Sequence, residues 1–92
     1  MFAAGRVTSV AGVPRFVLHH RHAPKECRAV YAAWSGFDSR LRHHDALASC
    51  ASGGHRMFWT IDARDEREAL EQLPPFVGER TEISEVQEVT IP

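Results

Sequence analysis

Residues 16–27, FVLHHRHAPKEC, contain the change from strand to helix that predicts the fold of this chain. The stretch begins with three consecutive apolar residues, Phe16, Val17 and Leu18. Such a run is typical of a strand that is covered on both faces. Pro14 suits the start of such a strand, where a missing N–H is tolerated, so we predict a strand over Arg15–His22. Pro24 suits the first turn of a helix, because a helix needs no N–H there. The stretch therefore predicts a strand, a short turn and a helix.

The helix after Pro24 has a single apolar stripe with the spacing i, i+3, i+4 and i+7. Its members are Cys27, Val30, Tyr31 and Trp34. Gly36 follows the last of them and is the expected terminator. From this position we interpret Cys27 as a small buried hydrophobe.

A β-hairpin is predicted around Gly53-Gly54, which separates the segments ALASCAS and HRMFWTIDA. A two-residue turn at these glycines would pair Cys50 with Met57 across the hairpin. We interpret Cys50 as a core residue, with a metal ligand or a reactive thiol as the alternatives.

A second helix is predicted to begin at Asp65, because Glu68 three residues later allows a capping box. Its apolar stripe ends at Pro74-Pro75, which stops the helix. A turn of helix through Phe76 and a final strand over 81–91, TEISEVQEVTI, complete the pattern.

The order βαββαβ predicts an α+β, ferredoxin-like domain over residues 15–92, preceded by a loose arm over 1–14. The four antiparallel strands would lie in the order 4-1-3-2, with both helices on one face. The other face carries more apolar surface than the helices cover, so we expect a homodimer that pairs sheet to sheet.

Composition and hydropathy argue against two kinds of partner, nucleic acids and membranes. The 11 Lys and Arg nearly balance the 12 Asp and Glu, so the formal net charge of −1 does not favour nucleic acid. No apolar run is long enough to span a membrane, and the first dozen residues do not resemble a secretory signal. We expect a cytoplasmic protein with free thiols.

The six histidines are the strongest chemical signal in the sequence. The predicted topology brings His19, His20 and His22 beside His55 at one rim of the sheet. Because side chains alternate along a strand, His20 and His22 share a face and His19 points away. Imidazole groups bind Zn²⁺, Ni²⁺ and Cu²⁺, so these four histidines are the candidate metal ligands.

Two further interpretations stay open. His20 or His22 can serve as the general base of an isomerase- or cyclase-like enzyme, with Phe58 and Trp59 lining an apolar pocket for a small ligand. Alternatively, the histidines are passive in a structural or regulatory dimer.

Three stretches carry a resemblance to a known family: HH on the first strand, GGHRMFWTIDARDEREAL over 53–70, and the closing EVQEV. Together they are similar to a small actinobacterial family of ferredoxin-like proteins of unknown function, one branch of which is described as nickel-binding. The strand order resembles the dimeric α+β barrel superfamily, which includes muconolactone isomerase-like proteins. The resemblance implies a homodimer or a larger ring, and it implies nickel at the His19/His20 pair.

Overall fold

The computed structural model describes residues 13–92, so nearly all of the predicted arm over 1–14 lies outside the described residues. The elements are β1 (Arg15–Arg21), α1 (Cys27–Ala33), β2 (Leu47–Ala48), β3 (Arg56–Asp62), α2 (Glu66–Leu70), α3 (Pro75–Gly78) and β4 (Thr81–Val86). Two short 3₁₀ turns, Pro24–Glu26 and Cys50–Ser52, precede α1 and β3.

The four strands form one antiparallel sheet in the order β2-β3-β1-β4. Strand β1 lies in the centre, and its His20 is opposite Met57 of β3 and Thr81 of β4. This α+β arrangement is compatible with the ferredoxin-like prediction. Among residues 13–92, the helices are all too short or too polar to cross a bilayer.

The core lies on one face of the sheet and follows the two-residue period of the strands. On β1 the buried positions are Phe16, Leu18 and His20, and on β3 they are Met57, Trp59 and Ile61. The helical side contributes Val30 from α1, Ala69 from α2, and Leu73 and Val77 around α3. The sheet is therefore closed on this side by three short helical segments.

The opposite face of the sheet, here called the open face, is outside this core. It carries Val17 and His19 of β1, Phe58 of β3 and Leu47 of β2. The His19 ring stacks on Phe58 with 4.7 Å between ring centroids, and Leu47 is 76% exposed.

The helix ends follow the predicted capping residues with two changes. Asp65 caps α2 as predicted, accepting a hydrogen bond of 2.8 Å from the Glu68 N–H. The Glu68 carboxylate accepts from the Arg64 N–H rather than from the Asp65 N–H, so the second bond of a capping box is not formed. The first helix, however, begins as a 3₁₀ turn before α1, and the Glu26 carboxylate accepts a hydrogen bond from the Ala23 N–H. The prediction of a final strand over 81–91 is wrong beyond Val86, where the last strand ends, and residues 87–92 have no regular structure.

The predicted two-residue hairpin turn is wrong, and the pairing of Cys50 with Met57 is wrong with it. Ala48 lies opposite Met57, so residues 49–55 form a longer connection. The Ser49 hydroxyl accepts a hydrogen bond from the Arg56 N–H, which lets the intervening residues leave the ladder as a 3₁₀ turn. Gly53, at φ 87°, ends that turn.

We predict that Leu18→Ala lowers the free energy of unfolding by about 2–5 kcal/mol, because Leu18 is fully buried at the centre of the sheet. Urea denaturation measures this change. Ile91→Ala is the control, since Ile91 is 81% exposed, and it should shift stability by less than about 0.5 kcal/mol. Equal effects of the two substitutions would contradict the described core.

Candidate metal centre

Four side chains bring their ligand atoms within 4.8 Å of one another: His22, Cys27, Cys50 and His55. His22 follows β1, Cys27 begins α1, and the other two lie in the connection over 49–55. We call this set the His₂Cys₂ cluster. It gathers two imidazoles and two thiols from three separate parts of the chain.

The spacing within the cluster fits a four-coordinate ion. Cys27 Sγ lies 3.3 Å from His22 Nε2 and 3.1 Å from His55 Nδ1, and Cys50 Sγ lies 3.7 Å from His22 Nε2. Around a tetrahedral zinc ion, with Zn–S near 2.3 Å and Zn–N near 2.0–2.1 Å, neighbouring N and S ligands are about 3.6 Å apart. These three separations are within about 0.5 Å of that value, and no two of the four ligand atoms are more than 4.8 Å apart.

The backbone fixes the two histidines relative to each other. The His22 N–H donates a hydrogen bond of 3.1 Å to the His55 carbonyl, which continues the contact between β1 and β3 beyond their last paired residues. His55 itself has φ 54°, a left-handed conformation that is uncommon for a residue with a side chain. This turn of the backbone brings His55 into the cluster directly before β3 begins.

Behind the cluster, His20 determines which nitrogen of His22 is free. His20 Nδ1 lies 3.3 Å from both the Val77 carbonyl oxygen and the Thr81 hydroxyl. The hydroxyl donates its proton to the same carbonyl at 2.7 Å, so both neighbours accept and His20 Nδ1 is assigned the proton. In a neutral ring His20 Nε2 is then an acceptor, and it takes a hydrogen bond of 2.9 Å from His22 Nδ1–H. The lone pair of His22 is therefore on Nε2, the atom that lies beside Cys27 Sγ.

Burial keeps these imidazoles in the neutral form that binds metals. Desolvation lowers the pKa of both His20 and His22, and their neighbouring histidines lower it further. Burial and the nearby Cys50 raise the pKa of the Cys27 thiol. A metal ion would displace the thiol proton, so metal binding at this site releases protons.

Glu26 directly precedes the ligand Cys27, and its carboxylate is already engaged. Oε1 accepts from the Ala23 N–H at 2.9 Å, and Oε2 accepts from Arg80 at 3.0 Å. The hydrogen bond from Arg80 is the main cause that lowers the Glu26 pKa. Glu26 therefore fixes the start of the helix that carries Cys27 and remains apart from the metal ligands.

The structure separates the residues that sequence analysis placed together. His22 and His55 belong to the cluster, and His20 contacts it through His22. His19 lies on the open face, stacked on Phe58. The two proposed pocket residues, Phe58 and Trp59, point to opposite faces, and Trp59 packs in the core against Trp34.

The prediction that both cysteines are core residues is wrong: both are only partly buried, and both belong to the cluster. A spacing signal could have found them. His22 precedes Cys27 by five residues, and Cys50 precedes His55 by five, which gives the pattern H-x₄-C…C-x₄-H. Paired His and Cys residues at short spacing are typical of zinc sites.

Comparisons of the chain with protein-family models, with curated proteins and with solved structures found no match. The functional assignment therefore rests on the geometry and ligand chemistry of the cluster itself.

We predict that metal-free protein loses stability as the pH falls below about 6.5, the ordinary pKa of histidine. His20 and His22 have lowered pKa values in the folded state, so the unfolded chain takes up protons first and is favoured in acid. Urea denaturation with a chelator, from about pH 8 to pH 5, measures this slope.

His20→Leu should reduce the pH slope, because it removes one of the two buried titrating groups. Ile91→Ala, an exposed apolar substitution, should retain the wild-type slope. Stability that stays constant or rises toward pH 5 in the wild type would contradict the lowered histidine pKa values.

Proposed function

We propose that this protein binds one divalent metal ion, zinc, through His22, Cys27, Cys50 and His55. The observation that carries the proposal is the convergence of two imidazole nitrogens and two sulfur atoms within 4.8 Å. The free lone pair on His22 Nε2, which follows from the hydrogen bonds of His20, supports it.

The ligand set favours zinc over the other ions considered. Two thiolates and two imidazoles are a common tetrahedral zinc set, and sulfur ligands do not suit magnesium or calcium. Nickel and copper also accept nitrogen and sulfur ligands, so metal identity is an outcome of the experiment below. The nickel-binding resemblance stays a prediction, and its His19/His20 pair is divided between the two faces of the sheet.

Four protein ligands fill a tetrahedral shell, which is typical of structural rather than catalytic zinc. The ion would join the end of β1, the start of α1 and the connection over 49–55. We infer a role in stabilising this end of the domain. The isomerase-like alternative named His20 or His22 as the general base, and it is less well supported. Both ring nitrogens of His20 are already hydrogen-bonded. The free Nε2 of His22 lies beside Cys27 Sγ and Cys50 Sγ rather than in an apolar pocket.

We also propose that the chain forms a homodimer through its open face, within a ferredoxin-like fold of the dimeric α+β barrel type. Leu47, Val17 and Phe58 place apolar side chains on this face, outside the core. Pairing two such faces would remove them from water. A reducing compartment such as the cytoplasm would keep both thiols available for metal.

We predict that untagged protein contains one zinc ion per chain and that zinc raises its stability. At a free zinc concentration of 100 times Kd, the free energy of unfolding should rise by about 2.7 kcal/mol. Elemental mass spectrometry measures the content, and thermal denaturation with and without chelator measures the stabilisation. Cobalt substitution should give a thiolate charge-transfer band and the intense visible bands of a tetrahedral site.

Cys50→Ser and His55→Ala should lose the zinc, because each removes one ligand. His19→Ala is the matched histidine control, since its ring lies on the open face, and it should keep one zinc per chain. Equal metal content in all these proteins, or no metal in the wild type under any condition, would contradict the proposal.

We predict that His20→Phe lowers zinc affinity about 10- to 100-fold while one ion still binds, because His20 orients the His22 ring. Competition with a chromophoric chelator measures the affinity. His19→Phe, one position away on the other face of β1, should retain wild-type affinity. Equal loss in both variants would indicate damage to the strand rather than loss of the orienting hydrogen bond.

We predict that Leu47→Glu shifts the protein toward monomer, because Leu47 is the most exposed apolar side chain of the open face, at 76%. Sedimentation velocity over a range of concentrations measures the association. Leu70→Glu makes the same type of change in α2, on the helical side of the sheet, and should leave the association unchanged. A wild-type protein that is monomeric at all concentrations would contradict the proposed dimer.

A further inference from the structure

We propose that the cluster has a second, metal-free state in which Cys27 and Cys50 form a disulfide, so that oxidation releases the metal ion. This inference rests on the proposed function, because it describes how the same site would be regulated. It adds a covalent modification that joins two of the four ligands.

The two thiols are placed for such a bond. Their sulfur atoms lie within 4.8 Å, and an S–S bond of about 2.05 Å requires them to approach by about 2.8 Å at most. Both cysteines are partly exposed, so a small oxidant can reach them. The sequence contains no third cysteine that could compete as a partner within the chain.

The approach does not require the sheet to open. Cys27 is the first residue of α1, and Cys50 begins the 3₁₀ turn in the connection over 49–55. Neither residue belongs to the paired ladders of the four strands. The 3₁₀ turn that carries Cys50 can therefore shift toward α1 without breaking any of these strand pairings.

The oxidant is a hydroperoxide, and with hydrogen peroxide the reaction balances in two steps. One thiolate attacks the peroxide, its O–O bond breaks, and a sulfenic acid and hydroxide form. The second thiolate attacks the sulfenic sulfur, forms the S–S bond and expels another hydroxide. The two sulfurs lose two electrons in total, the peroxide gains them, and two protons convert both hydroxides to water.

Disulfide formation leaves only His22 and His55 as ligands, which is half of a tetrahedral shell. The metal ion is therefore released. His22 stays in place because its Nδ1 hydrogen bond to His20 does not involve the metal. Reduction of the disulfide by a thiol restores both cysteines beside a histidine that is still oriented for binding.

The test treats zinc-loaded, folded protein with hydrogen peroxide and follows released zinc with a chromophoric indicator. Intact mass spectrometry and peptide mapping measure disulfide formation, and circular dichroism checks that the fold persists. We expect one zinc released per disulfide formed, a mass loss of two hydrogens, and rebinding of zinc after treatment with dithiothreitol. Cys50→Ser, which is expected to carry no zinc, is the control for the mass measurement only: peroxide should not remove two hydrogens from it, because it cannot form a disulfide within the chain.

Several results would overturn the inference while leaving the zinc site intact. These are zinc that stays bound under peroxide, zinc release with sulfinic acid but no disulfide, or a disulfide that forms only in unfolded protein. Failure of the proposed zinc site can be distinguished from failure of this inference, because the starting protein would then contain no stoichiometric zinc. In that case, a Cys27–Cys50 disulfide in folded, metal-free protein would still support the redox pair, and its absence would overturn it.

Discussion

The hydrogen bond between His22 Nδ1 and His20 Nε2, at 2.9 Å, connects the core of this protein to its candidate metal centre. The Val77 carbonyl fixes the tautomer of His20, and His20 in turn fixes the tautomer of His22. Because His20 is fully buried, this relay is shielded from water and both rings remain neutral. The free nitrogen of His22 is thus directed at the sulfur atoms by groups that belong to the hydrophobic core.

The positions of the other ligands depend on where the strands and helices begin and end. Strand β1 ends at Arg21, α1 begins at Cys27, and β3 begins at Arg56, all at one end of the sheet. The end of β1 contributes His22, the start of α1 contributes Cys27, and the connection that leads into β3 contributes Cys50 and His55. A metal ion would join the end of β1, the start of α1 and the connection between β2 and β3.

Sequence reasoning predicted the parts of this account that depend on periodicity. The alternation along β1 placed His20 and His22 on one side and His19 on the other, and the structure has that arrangement. The strand order followed from the predicted elements, and the four antiparallel strands adopt it. The assembly implied by the apolar open face stays a prediction.

The cysteines could not be placed by the same reasoning, because their positions depend on loop geometry. Cys27 continues an apolar helical stripe, which favoured a core interpretation, yet the 3₁₀ turn at Pro24–Glu26 brings it to the start of α1 beside His22. Cys50 follows an extended segment, and the Gly53-Gly54 pair favoured a tight turn. The hydrogen bonds of Ser49 form a wider connection instead, and this moves Cys50 off the strand.

The central claim is that two imidazoles and two thiolates close on one ion, and X-ray absorption at the zinc edge tests it most directly. The account predicts a first shell of two nitrogens near 2.0–2.1 Å and two sulfurs near 2.3 Å. A shell of nitrogen and oxygen alone, in protein that contains stoichiometric zinc, would contradict it, because the metal would then be bound elsewhere.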